Sequence, residues 1–295
     1  MPEAPPTSIP PAVAVVGRGL VDPGGPVVRA DDLGLTRGDG CFEGIRVVDG
    51  AAEDLDAHLD RMARSAAGLD LPFDRAGFEA AAAEVIAASG AAGVGEASLK
   101  LVLTRGPEHD PGHPTGLATL APLTEAVRRA RRQGISVATL TRGWAPGAFD
   151  GAPWLLGGVK TLSYAVNTAA MREAARRGAD DALFTDAGGA LLEGPTWSVA
   201  WLRGDRLTTV DPAPHGCLRS VTTDRLLADA ATAGLTPALG AGTVDDLRAA
   251  DLVLAVSSVR GGVEVGEVDG QPLRAADTRA VGWVRRHLAG RWPAR

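Results

Sequence analysis

The chain has 295 residues, 45% of them hydrophobic and 22% charged, which suits a soluble globular protein with enough length to bury a large core in one or two domains. A formal net charge of −6 argues against a nucleic-acid or anionic-membrane surface as its main business. Cys41 and Cys217 form no C-x-x-C and no metal-ligand spacing, so they are expected as reduced thiols of a cytoplasmic protein.

The opening MPEAPPTSIPP has neither a basic start nor an apolar run, and residues 1–11 read as a flexible Pro-rich tail, not a signal peptide. No apolar stretch is long enough to span a bilayer. A smaller domain is expected over 12–122, a connector over 123–134 and a larger domain over 135–295. In RGDGCFEGIR (37–46) the glycines at 38, 40 and 44 miss G-x-G-x-x-G by one residue. A hairpin turn at Asp49-Gly50 follows instead of a long helix, so a dinucleotide site is not expected.

Helical patterns cover 56–69 and 75–90, and 96–106 alternates as a strand on which Lys100 shares a face with Ser98 and Val102. His109 and His113 lie in PEHDPGHPTG, which cannot be helical. The remaining histidines (58, 215 and 287) are dispersed, so no metal is expected. The basic run at 128–132 reads as the solvated face of a short helix ending at Gly134. A helix is expected over 162–178, closing on arginines and a glycine. Residues 180–209 read as a meander with a turn at Gly204-Asp205, in which Glu193 ends the apolar strand ALLE. Another helix spans 220–234 behind Ser/Thr caps, and a last hairpin turns at Asp269-Gly270. Strands and helices mix without a regular βαβ rhythm, which predicts an α+β (α/β mixed) fold.

Of the 30 basic residues only Lys100 and Lys160 are lysines. Arginine keeps its proton in proteins, whereas a lysine amine can become neutral and nucleophilic. Lys160 follows WLLGGV, with two glycines that let another group approach, and stands before a helix. It is a Schiff-base candidate or a lysine snorkelling at a helix start. Tyr164 would share its helix face if the helix began that early. Glu193, before Gly194-Pro195, is an edge carboxylate or a partly buried one needing a partner such as a pyridinium nitrogen. CLRSVTTD (217–224) and LAVSSVRGG (254–262) could each cradle an anion through Ser220, Thr222 and Thr223 or through Ser257 and Ser258. Taken singly, each reads first as a plain cap, because Ser/Thr helix caps are common.

In order, these segments resemble the class IV, fold-type IV pyridoxal-phosphate (PLP) aminotransferases and lyases over about residues 28–275. DLGLTRGDGCFEGIRVVDG resembles the GDG-x-[FY]-E signature. HLDRMARSA resembles the H-x-x-R segment, which implies that Arg61 holds the cofactor phosphate. VKTLSYAVNTAAMREAARRGADDALF carries the Schiff-base role onto Lys160 and places Tyr164 at the cofactor. LLEGPTWSVAW implies Glu193 at the pyridine nitrogen, GCLRSVTTDRLL implies phosphate contacts at Val221 and Thr222, and LVLAVSSVRGGVEV implies another at Ser258. The resemblance further implies two domains, a smaller N-terminal α/β domain and a larger C-terminal pseudo-barrel domain. It also implies a homodimer whose 105–116 loop reaches the neighbour's site.

Departures are Trp197-Ser198 where the family often has Ser-Asn, and Thr223 where an arginine often stands. Phe42 in place of tyrosine, and a loop TRGPEHDPGHPTG without Arg-x-His, count against the D-amino-acid carboxylate clamp. GDGCF and SSVRGGVEV are closer to the 4-amino-4-deoxychorismate lyases of folate precursor synthesis. The leading expectation is that lyase reaction, with a class IV aminotransferase (D-amino acid, branched-chain or (R)-amine) as the alternative. Two substrate carboxylates would need donors, for which Arg46, Arg105 and Arg260 are candidates, beside Phe42.

Overall fold

A computed structural model describes residues 12–89, 95–110, 112–274 and 276–293. The tail at 1–11, Gly90 of the second predicted helix and Pro111 of the 105–116 loop lie outside the described residues. The chain divides into two compact units, one of residues 1–124 with Val159–Ser163, the other of Glu125–Gly158 with Tyr164–Arg295. Among the described residues no helix is long and apolar enough to cross a membrane.

The first unit is a six-stranded sheet of β1 (Ala12–Val15), β2 (Gly19–Val21), β3 (Gly40–Val48), β4 (Ala51–Ala52), β5 (Glu96–Thr104) and β6 (Thr115–Pro122). Their spatial order is β2-β1-β6-β5-β3-β4, antiparallel throughout. Asp49 and Gly50 both take positive φ in the β3–β4 turn, the conformation a two-residue hairpin needs. Alternation along β5 buries Ala97, Leu99, Leu101 and Leu103 and leaves Lys100 exposed. A short helix α1 (Leu33–Arg37) is capped by the Asp32 carboxylate. The helices α2 (Leu55–Gly68) and α3 (Arg75–Ala88) bury Leu59, Met62 and Ala66, and Phe78, Ala81, Ala82 and Val85, in one core with Ile45, Val47 and Leu99.

The second unit begins with α4 (Glu125–Gln133), so the expected connector holds a helix, and Gly134 ends it at φ 75°. Its strands are β7 (Ile135–Thr141), β8 (Asp181–Thr185), β9 (Ser198–Arg203), β10 (Arg206–Val210), β11 (Thr236–Gly240), β12 (Leu252–Ser257), β13 (Gly261–Val268) and β14 (Gln271–Pro272). They run β11-β10-β9-β12-β13-β7-β8, with β14 on β13. The register pairs Val256 with Ser198 and Thr209 with Ala200, so the ends of β10 and β12 and the start of β9 meet at one end of the sheet. Helices α5 (Ala165–Arg176), α6 (Pro212–His215), α7 (Val221–Thr232), α8 (Val244–Arg248) and α9 (Arg279–Arg291) complete the unit. Leu226, Leu227 and Ala230 of α7 and Val281, Val284 and Leu288 of α9 bury against Ala200, Leu202, Leu252 and Leu254.

Candidate active site

In the first unit the 159–163 segment lies along the start of β3. Phe42 N–H donates to the Lys160 carbonyl at 3.1 Å, and Leu162 N–H donates to that of Gly40 at 2.8 Å. Lys160 N–H in turn donates to the buried Ser65 Oγ of α2 at 3.1 Å. Only glycine fits at position 40, where a Cβ would meet the Leu103 carbonyl at 2.3 Å and Leu162 Cδ1 at 2.7 Å. Backbone held this way sets the half-buried Lys160 side chain over the Phe42 ring, with Nζ 4.4 Å from its centroid. Helix α5 starts only at Ala165, with Tyr164 as its N-cap residue, so the shared helix face expected of Lys160 and Tyr164 does not form. The Gly157-Gly158 backbone that precedes Lys160 is not yet helical.

Arg61, expected as an anion contact, is buried on α2 and engages the fully buried Glu43 of β3 with both Nε and Nη2 at 2.7 Å. His58 Nδ1 lies 2.8 Å from the same carboxylate. Burial alone would raise the Glu43 pKa; the Arg61 fork and His58 outweigh it and hold the carboxyl at about 2. Among the substrate candidates, Arg46 is buried and paired with Glu53 at 3.0 Å and with Glu96. Arg105 is half-buried, with Nε 2.6 Å from Asp39 and Nη2 donating to the Leu69 carbonyl at 2.6 Å.

In the second unit Glu193 is half-buried. Residues 190–193 are less regular than the strand expected of ALLE: Leu191 bridges Thr185, and Phe184 N–H donates to the Glu193 carbonyl at 2.9 Å. The Glu193 carboxylate accepts from Leu218 N–H at 3.2 Å, which ties it to the segment leading into α7. Cys217 is buried beside it; burial pushes its thiol up, and the Glu193 charge pushes the same way. Phe149 wedges against the neighbouring glycines, since a Cβ on Gly216 would meet its ring at 2.5 Å and one on Gly157 at 2.6 Å. Gly158 N–H donates to the Gly216 carbonyl at 3.0 Å.

Helix α7 opens on Ser220, whose Oγ accepts from Thr223 N–H and Thr223 Oγ1 at 3.1 and 3.0 Å. Thr223 is therefore part of the cap, and Val221 and Thr222 occupy the first turn, where backbone N–H groups and the helix dipole favour an anion. Ser258 follows β12 at the same end of the sheet. Its turn is clamped by Arg131 of α4, whose Nε donates to the Arg260 carbonyl and Nη2 to that of Val259, each at 2.9 Å. Arg260 pairs with the buried Asp181 at 2.9 Å, and Trp197 Nε1 donates to the same carboxylate at 3.1 Å. That contact gives the buried Trp197 indole N–H its partner.

Sequence reasoning did not assign roles to Glu43, His58, Ser65, Arg131 or Asp181. The signal for the first pair was present: strand alternation puts Glu43 on the apolar face of β3, and His58 stands three residues before Arg61.

One unit thus carries an anchored amine and a carboxylate-held guanidinium, the other a half-buried carboxylate and a helix N-terminus. Each is a group of the kind that a phosphorylated, electron-poor carbonyl cofactor takes, and a lysine-dependent enzyme class is one that such groups suit. The chain belongs to the family Amino-transferase class IV, whose sequence model matches residues 40–268. It is 36% identical over 265 residues, 86% of this chain and 90% of the other, to a protein of Mycobacterium tuberculosis named as a bifunctional aminodeoxychorismate lyase / D-amino acid transaminase. The fold-type IV architecture is shared with the fold IV-transaminase CpuTA1 of Curtobacterium pusillum, at TM-score 0.87 and 36% identity, covering 95% of this chain and 98% of that one. It is shared equally with a hypothetical aminotransferase of Mycobacterium tuberculosis in its alpha-ketoglutarate and PMP bound form, at TM-score 0.89 and 35% identity, covering 95% and 97%. The PLP-bound form of that protein matches at TM-score 0.89 and 35% identity, covering 95% and 98%.

Proposed function

We propose that this enzyme uses pyridoxal 5′-phosphate to convert 4-amino-4-deoxychorismate into 4-aminobenzoate and pyruvate. The observation that carries the reading is the 36% identity, over 86% of the chain, to a relative whose name includes that lyase activity. The donor set fits the cofactor: an amine at Lys160, a carboxylate at Glu193, and anion donors at Arg61, Val221, Thr222 and Ser258.

When bound, the cofactor supplies an electron-poor ring that stabilises negative charge at the carbon bearing the substrate nitrogen. Lys160 would hold the cofactor covalently, and its amine would take the proton from C4 of the substrate. Loss of that proton makes the substrate ring aromatic as the C–O bond to the enolpyruvyl group breaks. The departing enolpyruvate gains a proton to become pyruvate. Glu193 would keep the ring nitrogen of the bound cofactor protonated, its carboxylate held by the Leu218 N–H. The first turn of α7 would hold the phosphate with N–H groups that are already in place. Tyr164 stands at the start of α5, close in sequence to the lysine.

Transamination is the second reading, favoured by the bifunctional name of the same relative and by a similar structure in an alpha-ketoglutarate and PMP bound form. There Lys160 would both remove and return the proton, and the amino group would pass to a 2-oxo acid. Both readings take the enzyme as a cytoplasmic homodimer.

The purified enzyme is to be assayed with aminodeoxychorismate alone, and with D-alanine or L-leucine plus 2-oxoglutarate. Equal yields of 4-aminobenzoate and pyruvate are expected. Turnover of an amino acid with no 4-aminobenzoate would replace the lyase reading by the transaminase one.

A further inference from the structure

Glu43 sits at the middle of β3, and alternation places it with Cys41, Ile45 and Val47 on the face that packs against α2. A carboxylate with no solvent exposure is costly there unless it is fully paired. It is paired with two residues of one helix. Arg61 donates Nε to Oε1 and Nη2 to Oε2, each at 2.7 Å, and His58 Nδ1 meets Oε2 at 2.8 Å. His58 and Arg61 are three residues apart on α2, so one turn presents both to the same carboxylate.

Two parallel contacts fix the plane of a guanidinium as well as its position, which a single contact or a lysine would not do. An arginine meeting a phosphate from solvent loses its rotamer freedom on binding. Here Glu43 has already removed that freedom, and His58 in turn restrains the carboxylate. We propose that Glu43 is a positioning residue that orients the Arg61 guanidinium for the phosphate of the cofactor. It rests on the reading of Arg61 as a phosphate contact.

The test compares binding of pyridoxal 5′-phosphate and of pyridoxal, which lacks the phosphate, to enzyme stripped of cofactor and followed by protein fluorescence. Glu43→Gln keeps the size but turns an amide N–H₂ against one guanidinium N–H. Arg61→Gln and Glu43→Gln should each shrink the preference for the phosphorylated form by about 10- to 100-fold, the range expected for lost charge-assisted hydrogen bonds. Pyridoxal affinity should stay unchanged, and the double variant should be no worse than Arg61→Gln alone. If Glu43→Gln does not fold, Glu43→Asp, which keeps the charge but withdraws it, should show a smaller loss of the same preference. An equal loss for both ligands would overturn the proposal and leave Glu43 a structural residue. If Arg61→Gln shrinks the preference and neither Glu43 variant does, only the role of Glu43 fails. If Arg61→Gln leaves the preference intact, the reading of Arg61 fails and the proposal with it.

Discussion

Lys160 Nζ lies over the Phe42 ring at 4.4 Å from its centroid, and the same phenylalanine donates its N–H to the Lys160 carbonyl. One residue of β3 therefore places both the backbone and the amine of the catalytic candidate. Lys100 stands exposed on β5. Borohydride reduction of the PLP-loaded enzyme should fix a pyridoxyl group on the peptide containing Lys160. Lys160→Ala should abolish both the label and turnover, while Lys100→Ala changes neither. A label that maps to Lys100 by mass spectrometry would sink the assignment.

Glu193→Gln keeps an oxygen that can accept from Leu218 N–H, so the fold should survive with an unchanged melting temperature. What is lost is the negative charge at the proposed ring-nitrogen contact. A fall in kcat of about 10² to 10³ is expected, the size typical of removing one preorganised electrostatic contact. Steady-state kinetics at saturating cofactor check it, and a near-wild-type kcat would remove Glu193 from the mechanism.

Glu43 ties stability to acid. Its folded pKa of about 2 lies below the ordinary 4.5, so its contribution is fully present above pH 4.5 and is lost as pH falls toward 2. The size is on the order of 3 kcal/mol. Urea unfolding of wild type and Glu43→Gln across that window should show the two curves converging as pH drops. Parallel curves would mean that Arg61 and His58 do not lower this carboxyl.

Neither cysteine should react in the native enzyme. Burial pushes the Cys41 thiol up to about 12, with the Glu43 charge adding to it, and Cys217 is raised by burial and by Glu193. At pH 8 both are protonated as well as covered. Titration with a thiol-disulfide reagent should find no reactive thiol in the folded protein and two in urea. Fast labelling of either in the native state would contradict this arrangement.

Asp181 is buried between Arg260 and Trp197 Nε1. Asp181→Ala leaves a guanidinium and an indole N–H without that partner and should cost about 3 to 5 kcal/mol. Because Arg260 closes the turn after Ser258, the cofactor dissociation constant should rise as well. Thermal melts and cofactor titration give the two readouts, and an unchanged melting temperature would show that this pair carries no stability.

Much of the fold is legible in the sequence because it is written in local terms. Apolar spacing gave α2, α3 and α7, and the Asp-Gly pairs at 49–50 and 269–270 turn hairpins because both residues accept positive φ. The scarcity of lysine singled out Lys160, and the ordered motifs named its family. Tertiary structure alone decided the partners. Arg46, Arg105 and Arg260 read alike along the chain, yet each faces a carboxylate supplied from elsewhere, Arg46 those of Glu53 and Glu96, Arg105 that of Asp39, Arg260 that of Asp181. The start of α5 at Ala165 is likewise a tertiary result: hydrogen bonds from Phe42 N–H to the Lys160 carbonyl and from Leu162 N–H to the Gly40 carbonyl hold residues 160–162 against β3 before the helix begins. A charge seeks its counter-charge through space, and the sequence distance between them, 79 residues for Arg260 and Asp181, carries no trace of it.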